Sequence, residues 1–179
     1  MYTGAFTCNI CAAGKYSTVL GATGVDTCVD CVGGKFAAGQ GNSDETDCDL
    51  CPAGKFSYMM GSDSEANCLH CVSGKYSITE GSNSEYDCQD CVAGKYGIWS
   101  GVSACRDCAA GKYGSMVGST SSDSCMLCPT YAPQSPPGST SMSMCWTFCS
   151  PAKVKEAFWE EHPDAKLSGS CPSVRVLWF

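Results

Sequence analysis

No run of 18 apolar residues occurs in the chain, so it has no helix-forming stretch long and apolar enough to cross a bilayer. Histidine is nearly absent. The only two, His70 and His162, stand without a Ser, Cys or Asp constellation, leaving nucleophilic and general acid–base catalysis no footing. No Asn-x-Ser/Thr sequon is present, so N-linked glycans are not expected. Basic residues are few, 11 against 18 acidic for a net charge of −7, and the imbalance lies in residues 1–149 with 7 basic against 14 acidic; nucleic acid is not an expected partner. Leu, Ile and Phe are scarce, so short segments of this chain cannot hold together on an apolar core alone. The opening residues, Met1-Tyr-Thr-Gly-Ala-Phe6, lack the basic and apolar regions of a secretion leader. For a chain otherwise marked as secreted, the expectation is a leader already removed or a piece of a longer precursor.

What the chain has instead is cysteine, 17 in 179 residues, together with 20 glycines. That density belongs to disulfide scaffolds and places the chain in an oxidising compartment, outside the cell by default. The cysteines come in Cys-x-x-Cys pairs: Cys8/Cys11, Cys28/Cys31, Cys48/Cys51, Cys68/Cys71, Cys88/Cys91, Cys105/Cys108 and Cys125/Cys128. The period is 20 residues, shortened once to 17. Three residues after the second cysteine stands a glycine, then a lysine and an aromatic, and a further glycine closes the first half of each unit at Gly21, Gly41, Gly61, Gly81, Gly101, Gly118 and Gly138. A fixed period of this length is the mark of a stacked array. Glycine recurs too often within each unit for a helix, so the expected fold is an elongated rod of small disulfide-rich repeats, made of short β-ribbons and turns. The recurring aromatics Tyr16, Phe36, Phe56, Tyr76, Tyr96 and Tyr113 are expected to form a ladder in which each ring covers the next unit's disulfide.

Along the chain, residues 1–7 look like the remnant of a preceding repeat, and residues 8–128 hold six tandem repeats. Their second halves are acidic, as in Gly41-Asn-Ser-Asp-Glu-Thr-Asp47. Calcium would need several such oxygens at fixed positions, but the acids shift between copies and nearly vanish in Gly101-Val-Ser-Ala104; a solvated turn is the expected reading. Residues 129–149 form an atypical capping repeat in which prolines replace Gly-Lys-aromatic, with a Ser/Thr content suited to O-linked glycans. In residues 150–179, Ser150-Pro151 reads as a helix start and Pro163 as its end, giving one short helix near 151–162. A terminal apolar strand follows at Val174-Arg-Val176-Leu-Trp178-Phe179, and it is expected to dock on the rod or on a neighbouring chain.

Two disulfide patterns fit the spacing. In the sequential one each second cysteine closes on the first of the next pair: Cys11–Cys28, Cys31–Cys48, Cys51–Cys68, Cys71–Cys88, Cys91–Cys105, Cys108–Cys125 and Cys128–Cys145, with Cys149–Cys171 clipping the tail and Cys8 left for another repeat or another molecule. In the crossed one, first pairs with third and second with fourth. The spacing Cys-x2-Cys-x16-Cys-x2-Cys also matches a four-cysteine zinc site, but such sites would make the spacers alternate every 40 residues, and Gly-Lys-aromatic appears in every spacer alike. No metal or other cofactor is therefore expected. Each lysine is expected to lay its stem along a ring and offer its charge to the acidic turn.

The unit Cys-x-x-Gly-Lys-Tyr/Phe-Ser, with its second glycine and closing Cys-x-x-Cys, resembles the cysteine-rich repeats of tumour necrosis factor receptors. It is closer still to the ephrin-receptor-like cysteine repeats of large extracellular proteins. The resemblance covers about residues 8–149. It implies the sequential pairing, since in the receptor family the module beginning Cys-x-x-Gly-x-aromatic closes on the next cysteine downstream. The crossed-disulfide module that those receptors place between copies is missing here. The expected function is a non-enzymatic extracellular structural protein, a stapled rod joined head-to-tail through Cys8 and the apolar Val174, Val176, Trp178 and Phe179 into a cell-surface filament. The alternative is a receptor or adhesion ectodomain that binds a protein ligand along its side, with Ile98-Trp99 of the shortened repeat as the candidate contact.

Overall fold

A computed structural model of the chain describes residues 9–22 and 24–147. The segments to which the sequence assigns Cys8, the helix near 151–162, the Cys149–Cys171 clip and the strand Val174–Phe179 lie outside them. The described residues form a rod of small repeats, the first six each built on a two-stranded antiparallel ribbon of two residues per strand and the last holding only the isolated bridge Gln134–Trp146. The ribbons pair β1 (Lys15–Tyr16) with β2 (Val29–Asp30), β3 (Lys35–Phe36) with β4 (Asp49–Leu50), and β5 (Lys55–Phe56) with β6 (Leu69–His70). Further along, β7 (Lys75–Tyr76) pairs with β8 (Gln89–Asp90), β9 (Lys95–Tyr96) with β10 (Arg106–Asp107), and β11 (Lys112–Tyr113) with β12 (Met126–Leu127).

Each of the seven units, the ribbonless last one included, is closed by one staple. Cys11 is bonded to Cys28, Cys31 to Cys48, Cys51 to Cys68, Cys71 to Cys88, Cys91 to Cys105, Cys108 to Cys125 and Cys128 to Cys145, with Cα atoms 5.6–5.9 Å apart. All fourteen of these cysteines are thus engaged in disulfides. Sulfur is most of the core: Cys31, Cys51, Cys71, Cys91 and Cys108 are fully buried, whereas most large apolar side chains are exposed. The polar second half of most units closes in a single 3-10 turn, such as Glu45–Asp47 or Glu85–Asp87, whose first N–H groups are capped by the side chain before it. Asp44 and Ser84 are those caps, and Asp47 and Asp87 reach back to complete a capping box.

Adjacent units are sewn together by backbone. The N–H of Gly14 donates to Ala37 O (2.8 Å), the N–H of Cys31 to Gly14 O (2.8 Å) and the N–H of Gly41 to Cys11 O (2.8 Å), and the same three bonds recur with the period of the sequence. The aromatic strand residue adds a parallel bridge to the unit ahead, Tyr16 to Asn42, Phe36 to Ser62 and Phe56 to Ser82. Contact also extends past the nearest neighbour. A Cβ on Gly34 would sit 2.1 Å from the carbonyl oxygen of Gly81, two units on, and its φ of +83° is a left-handed value that glycine alone adopts freely. The glycine of Gly-Lys-aromatic is therefore required twice, by dihedral and by space.

Candidate ligand-binding surface

Two rings hold the scaffold where neighbouring units meet. Tyr16 packs on Cys31, Ala37 and Cys48, and Phe56 packs on Cys71 and Cys88, so in both cases the ring lies against the following unit's disulfide. The position after the aromatic must be small. It holds buried Ala37, Ser57, Ser77, Gly97 and Gly114, and a Cβ on Gly114 would lie 3.0 Å from Cys108 Sγ. The position after the second glycine is a buried serine in four units. Its hydroxyl donates to the carbonyl three residues back: Ser82 to Thr79 (3.1 Å), Ser119 to Met116 (3.2 Å) and Ser139 to Pro136 (2.7 Å), with Ser62 to Met59 at a longer 3.5 Å. Sequence reasoning passed over these serines. Their recurrence behind a glycine was the available signal.

Five of the six lysines find acids by one of two routes, and the residue across the ribbon decides which; Lys112, opposite Leu127 and with Ser122 opening its 3-10 turn, takes neither. Where the cross-strand partner is aspartate the pair forms across the ribbon: Lys15–Asp30 (2.6 Å), Lys75–Asp90 (2.9 Å) and Lys95–Asp107 (2.5 Å). Where the partner is Leu50 or His70, the lysine turns instead to the first residue of the 3-10 turn, giving Lys35–Glu45 and Lys55–Glu65, both 2.8 Å. Half-exposed pairs like these contribute roughly 0–1 kcal/mol each. Asp44 has a carboxyl held below the usual carboxylate range, first by the backbone N–H of Thr46 and second by the Thr46 hydroxyl. Its role is that of a cap.

Between the first two units the surface opens a groove of about 580 Å³, with Tyr16, Thr18 and Val29 on one side and Lys35, Asp44, Glu45 and Thr46 on the other. Its charged groups are already engaged, Lys35 with Glu45 and Asp44 with the N–H and hydroxyl of Thr46. The rest of the surface is unusual for its apolar content. In the short loop between the small residue after the aromatic and the second glycine, five of the first six units expose large apolar side chains: Val19 and Leu20, Tyr58 with Met59 and Met60, Ile78, Ile98 with Trp99, and Met116 with Val117, while the second unit has Ala38-Gly39-Gln40 there. Trp99 is 64% exposed, so its ring is not part of the packing between units. It is one member of a series at equivalent positions rather than an isolated exception. Such loops can bind an apolar partner. Among the described residues no group of three or more His, Cys, Asp or Glu converges as a metal site, and no helix is long and apolar enough to cross a membrane.

Ribbon, staple and two-glycine grammar define a class of small disulfide-rich extracellular-type repeats. Residues 18–68 match the family model described as tyrosine-protein kinase ephrin type A/B receptor-like. The seven staples in tandem fit the same kind of cysteine-rich repeat along the rest of the described array. No curated protein matches the chain as a relative.

Proposed function

We propose that the chain is a non-enzymatic extracellular segment of a receptor-like or adhesive protein, in which a stapled rod displays a ridge of apolar loops to a protein ligand. The observation that carries this reading is the series Tyr58–Met60, Ile78, Ile98–Trp99 and Met116–Val117, exposed at one structural position in consecutive units. Contiguous exposed apolar surface is costly in a soluble chain and marks interaction sites. Tryptophan, tyrosine and methionine are the side chains most favoured there. The aromatic ladder, extended through Phe36, Tyr76, Tyr96 and Tyr113, keeps the units in register beneath the ridge. The repeat class and the disulfides support an extracellular setting.

The filament reading rests on Cys8 and Val174–Phe179, which lie outside the described residues, and no described surface favours it over the ridge. The test is a photo-crosslinking residue placed at position 99, with a control at Asp63 in an acidic turn, displayed on the cells that make the protein. One discrete heterologous adduct from position 99 and none from 63 is expected. Adducts only between copies of the chain would favour the filament, and no adduct at all would leave a passive spacer. Trp99→Ala should abolish the adduct made from position 98 without altering the rod.

A further inference from the structure

In four units the 3-10 turn opens on a side-chain cap, at Asp44, Ser64, Ser84 and Ser121. The turn of the last described unit, Met142–Met144, has Ser141 at that position, and its side chain makes no capping bond. A sulfur takes over. The backbone N–H of Thr140 donates to Met144 Sδ (3.3 Å), and the Thr140 hydroxyl donates to the same atom (3.5 Å). In the second unit the same two bonds end on a carboxylate, since the N–H and hydroxyl of Ser43 donate to Asp47 Oδ2 at 2.7 and 3.4 Å. The positions correspond: from Gly41 and from Gly138 alike, the donor stands two residues on and the acceptor six.

Met144 therefore fills a place built for an oxygen with the weaker acceptor, a thioether. The place matters more here than elsewhere. This unit has no ribbon, and it is closed by the turn, by the staple Cys128–Cys145 directly after Met144, and by the bridge in which Gln134 N–H donates to Trp146 O (3.0 Å) and Trp146 N–H to Gln134 O (2.7 Å). Met144 is 39% exposed, so a small oxidant can reach its sulfur.

We infer that Met144 is an oxidation site, and that its sulfoxide oxygen caps the last turn as the Asp47 carboxylate caps that of the second unit. The oxidant is hydrogen peroxide. The sulfur lone pair attacks one peroxide oxygen, an S–O bond forms as the O–O bond breaks, and the proton on the transferred oxygen passes to the departing hydroxide, which leaves as water. The sulfur loses two electrons and the peroxide gains them; methionine sulfoxide reductases reverse the change. Rotation about the Cγ–Sδ bond of this flexible side chain turns the new oxygen toward Thr140. At Met59, Met60 and Met116 the same chemistry only makes an exposed apolar loop polar. The sign is thus specific to Met144, where oxidation tightens the fold instead of loosening it. This inference is independent of the ligand-binding reading.

The test uses the ¹⁵N-labelled full chain, disulfides intact, with Met1, Met59, Met60, Met116, Met126 and Met142 replaced by leucine so that Met144 alone can form a sulfoxide. Hydrogen peroxide is added until mass spectrometry shows one added oxygen, and amide exchange is read at Thr140 before and after. Exchange there is expected to slow by roughly 2- to 10-fold, the scale of one hydrogen bond gained. In the otherwise native chain, Met144→Gln supplies an amide carbonyl oxygen and should also slow exchange at Thr140, whereas Met144→Leu removes the acceptor and should quicken it. This second pair decides the matter even where six leucines prevent folding. A sulfoxide that leaves Thr140 exchange unchanged or faster, or a Met144→Gln chain that exchanges as fast as Met144→Leu, would overturn the inference.

Discussion

Gly34 and Gly21 both adopt positive φ, +83° and +70°, yet they answer to different constraints. A Cβ on Gly34 meets the Gly81 carbonyl oxygen at 2.1 Å, whereas one on Gly21 meets nothing within 4 Å. Gly21→Ala should therefore cost about 1 kcal/mol, the penalty of a left-handed L-residue alone. Gly34→Ala should cost about 2–4 kcal/mol by adding overpacking to that penalty. Denaturant midpoints under oxidising conditions will show whether the two separate. Asp44 makes a prediction about pH. Its carboxyl pKa is depressed in the folded state, so its contribution is present above the ordinary aspartate range and is lost as pH falls through the folded value. The stability gap between the native chain and Asp44→Ala should accordingly be largest near neutrality and shrink in acid; a gap that stays constant would assign the cap no ionic part. The glycine pattern was legible in the sequence because both constraints leave glycine alone at those positions. The buried serines were not, because one serine among many in a Ser-rich chain looks like solvent-facing turn.

Ribbon and turn behave as one element closed by one staple. Removing a staple with Cys51→Ala and Cys68→Ala should cost about 3 kcal/mol, since the bond closes a loop with a sequence separation of 17. The loss should also spread: the N–H of Gly61 donates to Cys31 O and that of Gly81 to Cys51 O, so amide exchange should quicken in both adjoining units while distant ones keep their protection. Uniform acceleration from end to end would mean the array opens as a single unit. At this scale the ribbons and turns could be anticipated from punctuation by glycine, and the 3-10 turns could not. Their side-chain cap is Asp44 in one unit and a serine, Ser64, Ser84 or Ser121, in three others, and the acids that mark them differ in position from copy to copy. The choice of lysine partner was also hidden, because it depends on which residue the ribbon sets opposite and not on the nearest acid in sequence.

The whole molecule follows from contacts that reach one unit ahead and, at the glycines, two. A shortened array spanning residues 9–91 should fold with its ribbons intact but melt below the longer chain, because its last units lack the partners that Gly54 and Gly74 find at Gly101 and Gly118. A melting series over three, five and seven units would test this, and stability independent of length would refute next-neighbour packing. The rod was readable from the period, and the repeat class from the resemblance carried by Cys-x-x-Gly-Lys-aromatic and the closing Cys-x-x-Cys. The exposed apolar loops were readable only in part: Ile98 and Trp99 drew attention in the shortened unit, while Tyr58, Met59 and Met60 passed as ordinary members of a regular one.

That shortened unit also says where such a chain is free to change. Between Gly101 and Cys105 three residues and the whole 3-10 turn are missing, yet Cys91–Cys105 closes with a Cα separation of 5.7 Å against 5.6 Å in the units on either side, and Gly54 still meets Gly101. Skeleton and exterior are written in separate parts of every unit. Successive generations of the gene could replace the outer face, or delete it, while the profile beneath stayed recognisable only by its cysteines and glycines.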